Sequence, residues 1–552
     1  MDAAAGKRIR ADGKDLGQVN RFMIHNSTGK HGHYYGVVPE TAAARNGSTP
    51  LTFDHDLDAL PEAGRRMTVA ALADHVDDLA ARLWAAGVRP GEQIAIYKGA
   101  NFDVWMLATA AARIAAVPVL LSHHLDGATA AALLGRLDRP YLLTDAAKLD
   151  VLADVPVTDF TRTVISATDS RPGVASLAEF AGAPRVEPVF QPPDEPEVIT
   201  HTSGTTGVPK LVVHTPRRIR ARLRPQALML GLIRKRETVA VHVPFLHSRM
   251  FAAMSLALHK EMPVVLVKDP HPDNVARLFA EHRPGLIEAL PNAFLDWEGL
   301  ADDPRKPFAS VRYFSSTFDA MHPRTISRLL GSSERRAPLF FQMYGQTEVG
   351  PAIGRPYFRR SAHRVDGRCV GYPVPGGPRI RVVSRDGKRP SKRNPGFIEA
   401  RWSGLAKTYY GEQERYDANM HDGWWRTGDV GFRGRYGCWH MLDREIDMIA
   451  GVESILEIED VVLSKLDEIS ELVVVPGAKS EPVPVICTNG DQPLDLDRWR
   501  AVAAEFPQLG EPIQIPLARL PRTGTLKVRR VELSRLLHDQ LAQTGNPERL
   551  VP

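Results

Sequence analysis

Residues 201–210 read HTSGTTGVPK and follow the apolar stretch EVIT at 197–200. Thr202, Ser203, Thr205 and Thr206 alternate with Gly204 and Gly207, and Lys210 closes the stretch. Backbone amides of a glycine-rich turn converge and bind anions, because glycine takes the required dihedrals without steric cost. The hydroxyls add donors and Lys210 adds a positive charge. That chemistry is a cradle for phosphate; the plain alternative is a solvent loop after a strand. The common phosphate-loop pattern GxxxxGK[ST] does not fit, since Lys210 follows a proline and precedes Leu211.

Further stretches carry chemical side chains. QMYGQTEVGP at 342–351 contains Tyr344, Gly345, Gln346, Thr347, Glu348 and Val349. WWRTGDVG at 424–431 contains Asp429, GFRGRYGCWHMLDRE at 431–445 contains Gly437 and Arg444, and LPRTGTLKVRR at 520–530 contains Lys527. VPFLHSRMFAAM at 243–254 offers His247 and Ser248, and YFSSTFDA at 313–320 offers Ser315, Ser316 and Thr317. Taken singly, Asp429 reads as a turn former, Lys527 as a solvated lysine and His247 as a satisfied core residue. Their order along the chain changes that reading.

A strand, Ser-Gly-Thr-Thr-Gly-x-Pro-Lys, and much later Tyr-Gly-x-Thr-Glu resembles the adenylate-forming superfamily: acyl-CoA synthetases, aryl-acid ligases, peptide-synthetase adenylation domains and luciferase. The resemblance runs from about residue 60 to 540. It implies an ATP- and Mg²⁺-dependent ligase that joins an oxyacid to AMP and releases pyrophosphate. By resemblance, the 202–210 loop with Thr205 wraps the β- and γ-phosphates. Tyr344 stacks on adenine beside Gly345, Gln346 and Thr347, and Glu348 holds Mg²⁺. Asp429 takes the ribose hydroxyls with Arg444 nearby, and Lys527 bridges the reacting carboxylate and α-phosphate. Ser315, Ser316 and Thr317 stand where relatives have Gly-Gly-Ala and line the adenine and acid sites. His247, Ser248, Ser315, Gly345 and Val349 complete the acid pocket. Hydroxyls in place of glycines narrow that pocket, add polar contacts and favour a small or polar acid over a long fatty chain; a small or aryl carboxylate is the expected substrate.

One region departs from the family pattern. DREIDMIAGVESILEIED puts Asp443 where relatives have glycine, Ile446 where they have the hinge aspartate and Ala450 where they have lysine. This is the hinge, near 443–449, whose turn lines the thiol tunnel of relatives. Adenylation is therefore the firmer half, and three captures of the adenylate stay open. A thiol, from coenzyme A or a carrier protein, is the commonest in the family. An amine needs no tunnel. A related branch activates nitrite and joins it to an amine. A nucleotide-binding protein without catalysis is a different class, which Lys527 and Glu348 speak against.

These residues need a scaffold. TVAALADHVDDLAARLWAAG (68–87) has apolar residues at helical spacing, and EQIAIYKG, FDVWMLATAAARIAA and VPVLLS read as strand, helix, strand. Such alternation implies α/β architecture with parallel-rich sheets flanked by helices. The expected organisation is a poorly defined leader (1–50), an N-terminal domain (51–443) whose residues 352–442 form a β-rich subdomain, and a small mobile α+β domain (444–552). A chain of 552 residues is too long for one core.

Composition limits the partners. Seventy Lys+Arg against 65 Asp+Glu leave a net charge of +5, too mild for a nucleic-acid binder. Five arginines in RRIRARLR (217–224) read as a solvated helix face, with a docking patch for coenzyme A or an acidic carrier protein as the rival. Cys369, Cys438 and Cys487 lie far apart without a CxxC pair, which reads against disulfides and zinc fingers and for a reducing cytoplasm. No long apolar run predicts a membrane span, and the first residues read as polar rather than as a signal peptide.

Overall fold

The structure, a computed structural model, describes residues 32–544 apart from 169–170, 203–207, 232, 234–235, 318–320, 363–365, 367, 450, 478–480 and 523–527. Ser203, Gly204, Thr205, Thr206, Gly207 and Lys527 therefore lie outside the described residues.

The periodicity at 68–87 becomes the helix Val69–Ala85, whose N-terminus is capped by the Thr68 hydroxyl accepting from the Ala71 amide at 3.2 Å. Next, Gln93–Tyr97 and Val117–Leu120 pair in parallel across the buried helix Asp103–Arg113. They sit in a seven-stranded sheet that is parallel except at its last pair, Val198–His201 against Leu211–His214. A second sheet holds fourteen strands among the described residues. One half is parallel, from Pro50–Phe53 through Val239–His242 and Leu286–Ala289 to Leu339–Gln346. From Leu339–Gln346 onward the pairing turns antiparallel through Gly350–Phe358, Cys369–Pro373, Trp439–Arg444 and Trp424–Arg433. The β-rich stretch is thus a continuation of the parallel sheet. A third sheet, Ile469–Pro476, Pro482–Thr488 and Ile513–Gln514, packs between the helices Ile455–Lys465 and Arg530–Thr544.

Residues 32–50 correct the expectation of a poorly defined leader. Tyr34, Tyr35, Val37 and Val38 are buried, Tyr35 packs on Phe251, and its amide donates to Glu197 at 2.8 Å. At the expected hinge, the Asp443 carboxylate accepts from the amides of Ile455 and Leu456, both at 3.2 Å. It caps the helix that follows. Burial pushes this carboxyl up to about 7. Among the described residues no helix is long and apolar enough to cross a membrane.

Candidate functional site

A cavity of about 840 Å³ opens where the two parallel sheets meet the antiparallel stretch. Three pieces of chain build its polar end. Thr202 leaves the strand Val198–His201 and Lys210 precedes Leu211–His214, so both stand at the mouth of one hairpin. The Thr202 amide donates to the Lys210 carbonyl at 3.0 Å, and the Lys210 amide to the Thr202 hydroxyl at 3.3 Å. This double clasp ties off the glycine-rich loop at its ends.

The second piece is the turn from Leu339–Gln346 into Gly350–Phe358. A side chain at Gly345 would collide with the Gly350 carbonyl, so only glycine lets these strands close on the cavity. Tyr344, Gly345, Gln346, Thr347 and Glu348 all line it. The third piece is Trp424–Arg433 paired with Trp439–Arg444, which places Asp429 opposite Arg444. There the Tyr344 hydroxyl donates to Asp429, and Arg444 stands 4.0 Å from the same carboxylate. Burial and the Asp429 charge hold the Tyr344 hydroxyl far above the usual phenol range. Gln346 is fixed from both sides, donating to the Thr427 carbonyl at 3.0 Å and accepting from Trp425 at 2.8 Å.

Glu348 is nearly buried, and its carboxylate accepts from the Tyr409 hydroxyl at 2.7 Å. Lys210 reaches the same hydroxyl at 3.4 Å and lies over the Tyr409 ring at 4.8 Å. Burial lowers the Lys210 ammonium, against the opposing pull of Glu348. A lysine, a phenol and a carboxylate thus form one chain at the clasped loop, a set suited to phosphate oxygens and a hard cation. Tyr409 carries no motif of its own, and no signal in the sequence marks it.

The other end is built on the helices Pro216–Gly231 and Ser248–His259. His247 caps the second, its Nδ1 accepting from the Arg249 amide at 3.0 Å, and both His247 and Ser248 line the cavity. Arg249 forms an ion pair with buried Glu288, 2.6 Å at one contact, and also donates to Gln226. Arg222 is buried and donates to the carbonyls of Gly404 (2.6 Å), Thr347 (2.9 Å) and Glu348 (2.7 Å). Burial brings this guanidinium down to about 10, and burial holds His214 beside it well below the usual histidine range. Neither reading of the arginine run fits Arg222, which is a brace beneath the motif strand. Ile219, Arg222, Leu223 and Gln226 share one buried helix face, a spacing that marks Arg222 as inward-facing.

Three expected pocket residues stand elsewhere. Ser315 and Ser316 lie on the strand Tyr313–Ser316, outside the cavity wall, and Ser316 is fully buried. Val349 points into the apolar cluster of Val212, Ala352 and Trp425, because the chain turns between Glu348 and Gly350. Thr317 does line the cavity, and its hydroxyl is buried without a partner.

The sequence profile of the family described as "AMP-binding enzyme" matches residues 40–410. The 3-amino-2-hydroxy-4-methoxybenzoate diazotase of Streptomyces cremeus is 46% identical over 542 residues, which cover 93% of this chain and 97% of that protein. A 3-aminoavenalumate diazotase from a Streptomyces species is 24% identical, with 74% of each chain covered. Among solved structures, o-succinylbenzoate CoA synthetase from Bacillus subtilis, in complex with its acyl-adenylate, has the same fold, with a TM-score of 0.73 at 21% identity over 90% of this chain and 97% of that one. The expected α/β architecture and adenylating activity are borne out: the chain belongs to the family of AMP-binding enzymes and is an adenylate-forming ligase.

Proposed function

We propose that the oxyacid is nitrite and the acceptor an aromatic amine of the aminobenzoate class, so that the enzyme is a diazotase. The observation that carries this reading is the 46% identity to a diazotase along nearly the whole of both chains. The cavity supports it. At about 840 Å³ it lies in the usual range of small-molecule sites. The cavity wall also carries Phe245 and Phe251, which suits an aromatic ring.

The residues present fit ATP and Mg²⁺. Thr317 offers a buried hydroxyl without a partner, and Glu348 is a carboxylate beside a cationic loop. Thr202, Lys210 and the loop 203–207 hold the phosphates, Tyr344 faces adenine, and Asp429 with Arg444 holds the ribose. Glu348 holds Mg²⁺, which offsets charge on the phosphate oxygens. Residues 32–443 form the AMP-binding domain, and 444–552 would turn about 443–449 to bring Lys527 to the α-phosphate.

A nitrite oxygen attacks the α-phosphorus and the bond to pyrophosphate breaks. Nitrite is already an anion, so no general base is required. The amine nitrogen then attacks the nitrosyl nitrogen, the N–O bond breaks, and AMP leaves with that oxygen. The N-nitroso product loses water, after protonation, to give the diazonium ion. Coenzyme A has no part in this sequence.

The test is pyrophosphate release from ATP and Mg²⁺ with each component omitted in turn. Release that needs nitrite, with an azo dye formed when a coupling phenol is added, is the expected result. Faster release with a carboxylic acid, completed only by coenzyme A, overturns the proposal in favour of thiol capture.

A further inference from the structure

Outside the cavity, Cys369, Cys438 and His440 bring one ligand atom each within 4.8 Å of one another. Sequence spacing reads against this, yet strand pairing makes it unavoidable. Cys438 directly precedes the strand Trp439–Arg444 and stands two residues before His440, which brings their side chains together. Cys369 is the register partner of His440 on the neighbouring antiparallel strand. The Cys438 sulfur lies 3.2 Å from His440 Nε2.

Three further features shape the cluster. Asp366 stands 3.4 Å from the other ring nitrogen, Nδ1, so Nε2 is left to face the sulfurs. Phe432 stacks on the imidazole, with centroids 4.6 Å apart and planes 8° from parallel. At Gly434 a Cβ would lie 2.9 Å from His440 Nε2 and 3.1 Å from the Cys438 sulfur. Glycine there leaves open the space in front of the donor atoms.

We infer that Cys369, Cys438 and His440 bind one zinc ion, with the fourth position open to water. Two thiolates and an imidazole are the soft and borderline donors that select Zn²⁺ over the Mg²⁺ of the nucleotide site. Asp366 fixes the ring as carboxylates do behind ligating histidines. The ion would pin Cys369–Pro373 to the strand that ends in Arg444. Arg368, next to Cys369, forms an ion pair with Asp460 on the helix Ile455–Lys465, so the pinned strands also carry a contact to the C-terminal part.

The whole reduced protein, stripped of metal by a chelator, is titrated with Co²⁺ alone and then with Zn²⁺ alone. A thiolate-to-cobalt charge-transfer band saturating at one equivalent per chain, bleached by Zn²⁺, is the expected result. Asp366→Asn should weaken Zn²⁺ about tenfold, and Cys438→Ser, at a half-exposed position, should abolish the band while the far-ultraviolet spectrum is unchanged. No saturable band in the wild-type protein overturns the inference, as does a band undiminished by Cys438→Ser. A Cys369–Cys438 disulfide in freshly isolated protein also overturns it, since oxidised sulfurs cannot serve as thiolate ligands.

Discussion

The two ends of the cavity handle charge in opposite ways. At the nucleotide end, Tyr344, Asp429 and Arg444, and likewise Lys210, Tyr409 and Glu348, neutralise each other across strands through contacts a ligand can replace. At the helix end, Arg222 is locked onto three carbonyls and Arg249 into Glu288 and Gln226. The first arrangement is an exchangeable set of partners; the second is part of the core. Substitutions at the two ends should therefore fail differently.

The largest effect is expected at the helix end. Arg249→Met leaves Glu288 buried without its partner, and breaking a buried pair costs about 3–5 kcal/mol. Denaturant unfolding reads this directly; a midpoint equal to wild type would place Arg249 among the exchangeable contacts instead. Next comes Lys527→Ala, expected to slow pyrophosphate release about 10²–10³-fold with ATP affinity and stability retained. An unchanged rate removes Lys527 from the reaction. Asp429→Asn should raise the KM for ATP about 10–50-fold, the scale of a hydrogen bond to a charged group, with unfolding unaltered. Loss of stability there would erase the contrast between the ends.

A further prediction concerns pH. Glu197 is buried behind the cavity and pushed up to about 8, above its ordinary 4.5, by desolvation. The folded state then holds one more proton than the unfolded state between those values. Stability should fall as pH rises through that window, by about 1.4 kcal/mol per unit. Glu197→Gln should flatten this slope while still accepting from the Tyr35 amide. A slope identical to wild type would assign the alkaline loss to another group.

The same contrast explains what was legible in the sequence. Phosphate and ribose chemistry demands fixed residue types at the ends of strands, so Lys210, Tyr344, Glu348 and Asp429 announce themselves through spacing and do converge on one cavity. The elements were legible for a related reason: apolar periodicity at 68–87 and 93–120 reflects burial, which is local in pattern. Tyr409, Arg222 and Arg249 act through partners more than thirty residues away, and a lone tyrosine or an arginine in a run has many solvated precedents. Ser315, Ser316 and Val349 do not line the cavity. Motif position placed them; the turn at 346–349 aims Val349 into an apolar cluster, and Ser315 and Ser316 stand off the cavity wall. The hinge acid Asp443 was visible as a departure, while its capping of a helix twelve residues on required coordinates.

The central claim is that nitrite oxygen is joined to AMP in this cavity and stays with it when the amine takes the nitrosyl group. Nitrite labelled with ¹⁸O, supplied with ATP, Mg²⁺ and an aminobenzoate, tests it in one mass spectrum of the AMP formed. The account predicts AMP carrying one ¹⁸O. Unlabelled AMP from a reaction that still consumes nitrite and amine would contradict it.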